Sequence, residues 1–184
     1  PILLSDIGKI FLYGNTNYLY NAKICDTAKN IAKENGNNLN QFYLNFYSGR
    51  LYDKSTSANI ENALERFENA ILCATDAQKK DNALWYYLST SLKKSTEQAI
   101  NGLEKYISEI NDPLYFSDFF ETICQRTFTV GDWDSFYSIY LITKDKLDSD
   151  TFSRYSYLVG RLFQLGLIKQ NTGTKTQEIA RQYF

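Results

Sequence analysis

FYSGRLYDKSTSANIENALERFENA, residues 46–70, decides the fold. Phe46, Gly49 and Tyr52 or Asp53 recur at the spacing that places them on one face of a helix. Ala63, Phe67 and Ala70 do the same further along, while Glu61, Glu65, Arg66 and Glu68 fall mostly off that stripe. The segment is therefore expected to form two helices folded back on each other across a polar turn. A glycine inside a helix costs about 1 kcal/mol relative to alanine. Its presence at position 49 is expected where a neighbouring helix comes close, with Tyr52 and Phe67 filling the space between the two backbones. The glutamates of the second helix, with Arg66 interspersed, read as a solvated face.

The same order of residues recurs on both sides of this stretch. Leu4, Ile7, Gly8 and Phe11 repeat it in a helix over residues 2–13, and Asn15, Thr16 and Asn17 form the turn and N-cap that follow. Ala22, Cys25, Ala28 and Ala32 make a small-residue stripe along a helix over residues 18–34, stopped at Asn35-Gly36. Residues 76–81 read as a charged turn. ALWYYLSTSLKK, residues 83–94, follows with Trp85, Leu88, Ser89 and Leu92 in register, and Ala99, Leu103 and Tyr106 mark its partner helix, ended by Asn111-Asp112-Pro113.

Phe120, Ile123, Cys124 and Thr127 continue the series. Gly131-Asp132 turns the chain, and Trp133, Phe136, Tyr140 and Thr143 supply the answering helix with bulkier residues in place of alanines, which predicts a more widely spread pair. Residues 148–151 cap a last first-helix in which Gly160-Arg161-Leu162-Phe163 nearly copies Gly49-Arg50-Leu51-Tyr52; after a polar loop over 169–174, Ala180 and Phe184 repeat the spacing of Ala63 and Phe67. The equivalent small residues Gly8, Gly49, Ser89, Cys124 and Gly160 stand about 41, 40, 35 and 36 residues apart, the interval of two-helix repeats. The expectation is an all-α chain of about ten helices forming one α-solenoid domain in units over 1–36, 39–76, 81–113, 115–147 and 149–184; a closed helical bundle is the alternative. Because the chain starts at Pro1 and stops inside a helix, it is expected to be a segment of a longer array.

Gly49, Tyr52, Ala63, Phe67 and Ala70, with a turn longer than usual and no closing proline, resemble the tetratricopeptide repeat. That resemblance implies antiparallel helix pairs whose first helices line a concave groove binding a protein or peptide. It points to Tyr43, Phe46 and Arg50 in the central unit, Tyr86, Thr90 and Lys93 in the next, and Tyr157 and Arg161 in the last, with Asp53, Lys54, Lys94, Arg154 and Gln164 beside them. Arg50 and Arg161, each following the glycine, suit bidentate capture of a carboxylate; the plainer reading pairs each with an acid on a neighbouring helix.

A second resemblance lies in GRLY, ALWYYL and YFSDFFE strung along one helical array, which is similar to the noncatalytic helical region of soluble lytic transglycosylases. It implies a periplasmic accessory superhelix that positions peptidoglycan strands, with the chemistry outside this segment, since no glutamate here is followed by the serine of that family's catalytic motif. Without that resemblance the expected location is cytoplasmic. A third reading is a structural spacer.

Composition narrows the remaining classes. The 184 residues are 43% apolar and 22% charged with a net charge of −1, which argues against a protein that coats nucleic acid. Two prolines against 15 tyrosines and 12 phenylalanines predict long helices packed through aromatic rings. No run of about 18 apolar residues exists to span a membrane. With no histidine there is neither a serine or cysteine triad of the usual kind nor a histidine metal site, and no glycine-rich phosphate loop occurs. No catalytic residue, metal or cofactor is expected. Cys25, Cys73 and Cys124 lie far apart in apolar helical contexts and read as core thiols.

Overall fold

A computed structural model describes residues 4–14, 17–169 and 182–183. The expected turn at Asn15 and Thr16, the loop beyond Lys169, the closing positions Ala180 and Phe184, and the side chains of Leu4 and Ile7 lie outside the described residues. Among those described there are nine α-helices and no strand, and the helices pack on one another as a helical repeat. The chain divides into two compact units, Pro1–Ser95 and Thr96–Phe184. That boundary falls between the two helices paired in the sequence reading of residues 81–113.

The first unit holds α1 (Leu4–Gly14), α2 (Tyr18–Glu34), α3 (Asn38–Ser55), α4 (Ile60–Cys73) and α5 (Ala77–Lys94). Each packs on the next, and α3 also meets α1 and α5, so every second helix returns to the same layer. The 46–70 stretch forms α3 and α4, joined through a short 3₁₀ turn at Ser57–Asn59. Asn17, Asn37 and Asp76 cap α2, α3 and α5 by accepting from the backbone amides of Tyr20, Asn40 and Lys79. The cap at Asp76 corrects the expected charged turn: α5 starts at Ala77 because the run Ala-Gln-Lys-Lys consists of strong helix formers, and Asp81 is buried within that helix.

Three consecutive residues of α3 address three different neighbours. The ring of Tyr47 lies against α1, where a Cβ added at Gly8 would come 2.6 Å from Tyr47 Cβ. The hydroxyl of Ser48 donates to Asp26 Oδ1 of α2 at 2.8 Å. Gly49 faces α4, where a Cβ would meet the Phe67 ring at 2.7 Å. The glycine at position 49 thus serves the close approach read from the sequence, and a stripe of Ala22, Cys25, Ala28 and Ala32 on α2 is buried as expected.

Asp26 of α2 gathers polar groups from two other helices, α3 and α4. Besides Ser48 it accepts from Tyr52 OH at 2.9 Å and from Arg66 Nη2 at 3.2 Å, with Arg66 Nε 2.8 Å from its other oxygen. Arg66 is therefore no member of a solvated face: its side chain is 15% exposed and reaches from α4 to α2. Burial, and then the bond to Asp26, push the Tyr52 phenol up to about 12. Glu61 and Glu65 are exposed, as read.

The second unit holds α6 (Thr96–Tyr106), α7 (Ser117–Val130), α8 (Trp133–Thr143) and α9 (Ser149–Gln164). Here Asn111-Asp112-Pro113 does not end α6, which has already closed through a 3₁₀ turn at Ile107–Glu109. It opens the next element instead. Asp112 accepts from the amides of Leu114 and Tyr115, and Pro113 begins the 3₁₀ turn Pro113–Phe116 that leads into α7. Gly131 ends α7 with φ of 72°, Asp132 caps α8, and Asp148 caps α9 by accepting from the amides of Asp150 and Thr151. Phe116, Phe120, Ile123, Phe136, Ile139 and Phe163 form the core, where Tyr140 OH and Ser156 Oγ share a hydrogen bond of 2.8 Å.

All three cysteines are free thiols, with Cys25 and Cys124 buried and Cys73 half-buried. Burial pushes Cys25 and Cys124 up to about 12 and raises Cys73 as well. At pH 8 a disulfide reagent is therefore expected to titrate Cys73 first and slowly, and the other two only when the chain unfolds. Fast reaction of two or three thiols in the native protein would contradict this packing.

Candidate binding surface on α3 and α5

Residues that are distant in sequence meet on one surface of the first unit. On α3, Tyr43, Phe46, Arg50 and Asp53 follow at intervals of three and four and share a face; on α5, Tyr86, Thr90 and Lys93 do the same. Six of the eight sequence-predicted groove residues, Tyr43, Phe46, Arg50, Tyr86, Thr90 and Lys93, lie on these two helices. Tyr157 and Arg161 lie on α9 of the second unit, where both are exposed and Arg161 hydrogen bonds to Gln164.

The floor is aromatic. Phe46 and Tyr86 meet edge to face with centroids 5.2 Å apart, and Phe67 from α4 stacks under Tyr86 at 5.7 Å. Tyr43, half-buried, stacks along α3 on Tyr47. Above this floor lies Arg50. Its guanidinium carbon is 4.8 Å from the Tyr86 centroid, 5.7 Å from that of Phe46 and 6.0 Å from that of Tyr13 on α1. Such contacts hold a cation over the electron-rich ring faces and leave the edge of the planar group, which carries the N–H donors, for other partners. Arg50 forms no hydrogen bond or ion pair with any described residue. Nor does the Tyr86 hydroxyl.

The nearest acid on this face is already engaged. Asp53 accepts from Thr90 Oγ1 at 3.2 Å and from Lys93 Nζ at 2.6 Å, which ties the C-terminal turns of α3 and α5 together. Phe46 and Thr90, 9% and 1% exposed, thus support the surface from below instead of lining it. Lys54 lies over the Tyr18 ring at 5.7 Å and Lys94 pairs with Glu61. Arg50, Lys54, Lys93 and Lys94 outnumber Asp53 and Glu61 among the charges named on this surface, although the whole chain is nearly neutral. Lysines in the last turns of α3 and α5 also complement the helix dipoles.

Sequence reasoning missed Tyr13 as the third ring. Its spacing belongs to α1, and only the packing of α1 on α3 brings it over Arg50. Among the described residues no group of three potential metal ligands occurs, and no helix is long and apolar enough to cross a membrane. Comparison with protein-family models, with curated proteins and with solved structures returns no match.

Proposed function

We propose that this chain is a non-catalytic helical-repeat scaffold that binds a peptide or protein on the α3 and α5 face, with Arg50 receiving a carboxylate of the partner. One observation carries this reading: a half-buried guanidinium is fixed over three rings while its donors have no acceptor among the described residues. By contrast Arg66, Arg154 and Arg161 each bond to a side-chain oxygen of the chain itself. A stacked arginine loses little further freedom when it forms a paired bond to a carboxylate, which lysine cannot copy.

The test is a binding scan of acidic and carboxylate-ended peptides, with their amidated counterparts and muropeptide and glycan fragments alongside. Arg50→Ala is expected to weaken carboxylate peptides about tenfold to a hundredfold, Arg50→Lys to restore little of that, and Arg161→Ala to change it far less. Equal binding of acid and amide forms, or indifference to Arg50→Ala, would sink the proposal. Glycan binding that depends on Arg50 would instead favour the accessory-superhelix reading.

A further inference from the structure

The second unit contains a cavity of about 340 Å³ between α7, α8 and α9 that no part of the scaffold reading uses. Its walls are Cys124 and Phe128 of α7, Phe136 of α8, and Tyr155 and Leu158 of α9. Volumes near 300 Å³ stand at the small end of ligand sites, and the walls offer aromatic faces and aliphatic carbon. Phe128 is only partly covered, 44% exposed, although it meets Trp133 and Phe136 edge to face at 5.0 and 6.1 Å.

The rim carries one charge of each sign. Arg154 Nη2 donates to Glu121 Oε1 at 2.7 Å, and this single bond is the one that either group makes to a side-chain oxygen or nitrogen among the described residues. The remaining guanidinium donors and Oε2 of Glu121 are therefore unused. Arg154 is steadied over the Tyr155 ring, 5.3 Å from its centroid. The Gln125 side chain, one helical turn from Glu121 on the same lining, has no partner among the described residues either. A one-armed pair of this kind can accept a carboxylate on the arginine and an ammonium on the glutamate without first being broken.

From this the geometry points to a site for a small aromatic zwitterion of the aromatic α-amino acid class. The ring enters among Phe128, Phe136 and Leu158, the ligand carboxylate takes the open donors of Arg154, and its ammonium takes Glu121 Oε2 with the Gln125 carbonyl. A neutral aromatic would leave both rim charges unused. An aromatic acid or amine alone would use one of them.

The test uses the full chain with L-phenylalanine and L-tryptophan as probes, beside 3-phenylpropionate, phenethylamine and indole, followed by ligand-observed NMR and calorimetry. The zwitterions are expected to saturate one site at about millimolar concentration, as suits ligands of this size, and each analogue lacking a charge to bind about tenfold or more weakly. Glu121→Gln and Arg154→Gln are each expected to weaken the zwitterions to a similar extent with the melting temperature unchanged, because both side chains are exposed. The proposal is overturned if no zwitterion saturates below about ten times that concentration, if indole or a singly charged analogue binds as well, or if both variants bind as the parent does. The Arg50 surface is not involved, so Arg50→Ala must leave this binding intact.

Discussion

Replacing Phe67 by alanine is expected to lower the stability of the first unit by about 3–5 kcal/mol. Phe67 is fully buried, seated against Gly49 on one side and between Phe46 and Tyr86 on the other. Removing a ring costs its transfer from water plus the cavity that remains, and the second part depends on how far the surroundings collapse. Here one wall is a glycine, which has no side chain to move inward. The cost should therefore fall in the upper part of the range, and Phe67→Leu should cost markedly less. Urea unfolding with hydrogen exchange on α3–α5 amides measures it locally. A loss below about 1 kcal/mol, the size expected of an exposed or poorly packed ring, would show that the close approach at Gly49 does not hold. Because Phe67 also underlies Tyr86, the alanine variant should weaken carboxylate binding even at temperatures where the unit remains folded.

Asp26→Ala is the second large effect, expected at about 3 kcal/mol. Its carboxylate pairs with Arg66 and accepts from Tyr52 and Ser48, and the side chains of Arg66 and Asp26 are 15% and 20% exposed. Removing it strands a guanidinium and a phenol in a mostly dry setting, although residual access to water keeps the cost below that of a fully enclosed pair. The opposite sign is expected when the whole group is exchanged. Asp26→Leu with Arg66→Met and Tyr52→Phe should be near neutral or stabilising, because no polar group then remains to be desolvated. Mutant cycles by chemical denaturation separate the two cases. Additive losses across the triple variant would mean that the groups act independently and do not form one network.

The comparison of these two sites explains what the sequence could disclose. Gly49 and Phe67 were legible because a glycine inside an apolar helical stripe is locally unfavourable and so calls for a neighbour. The capping region at residues 148–151 and the turn at Gly131-Asp132 were legible for a similar reason, since each concerns residues within one or two turns. Asp26 carried no such mark. Its partner Arg66 is 40 positions away, and an arginine among glutamates has the same pattern whether it faces water or reaches across a helix pair. The charges over residues 76–81 suggest a turn and so hide the start of α5, because lysine is a good helix former and Asp76 supplies the cap. On the candidate surface, the resemblance to a two-helix repeat brought Arg50 and Tyr86 to notice. It could not show that Thr90 lies beneath Asp53 or that Tyr13 completes the ring set, because both depend on which helices touch.

The run Tyr47, Ser48, Gly49 has a consequence for how this chain can change length. Successive residues of a helix point about 100° apart, so these three positions fix α3 in rotation against α1, α2 and α4 at once. Inserting or deleting one residue between Tyr47 and Gly49 would turn everything beyond it by that angle, carrying the glycine notch away from the Phe67 ring while Tyr47 stayed in place. Related chains that fold in this way should therefore keep the reading frame of the helix from Asn38 to Ser55 and place their indels in connections such as Ser57–Asn59, where an added residue lengthens a link without rotating a lock.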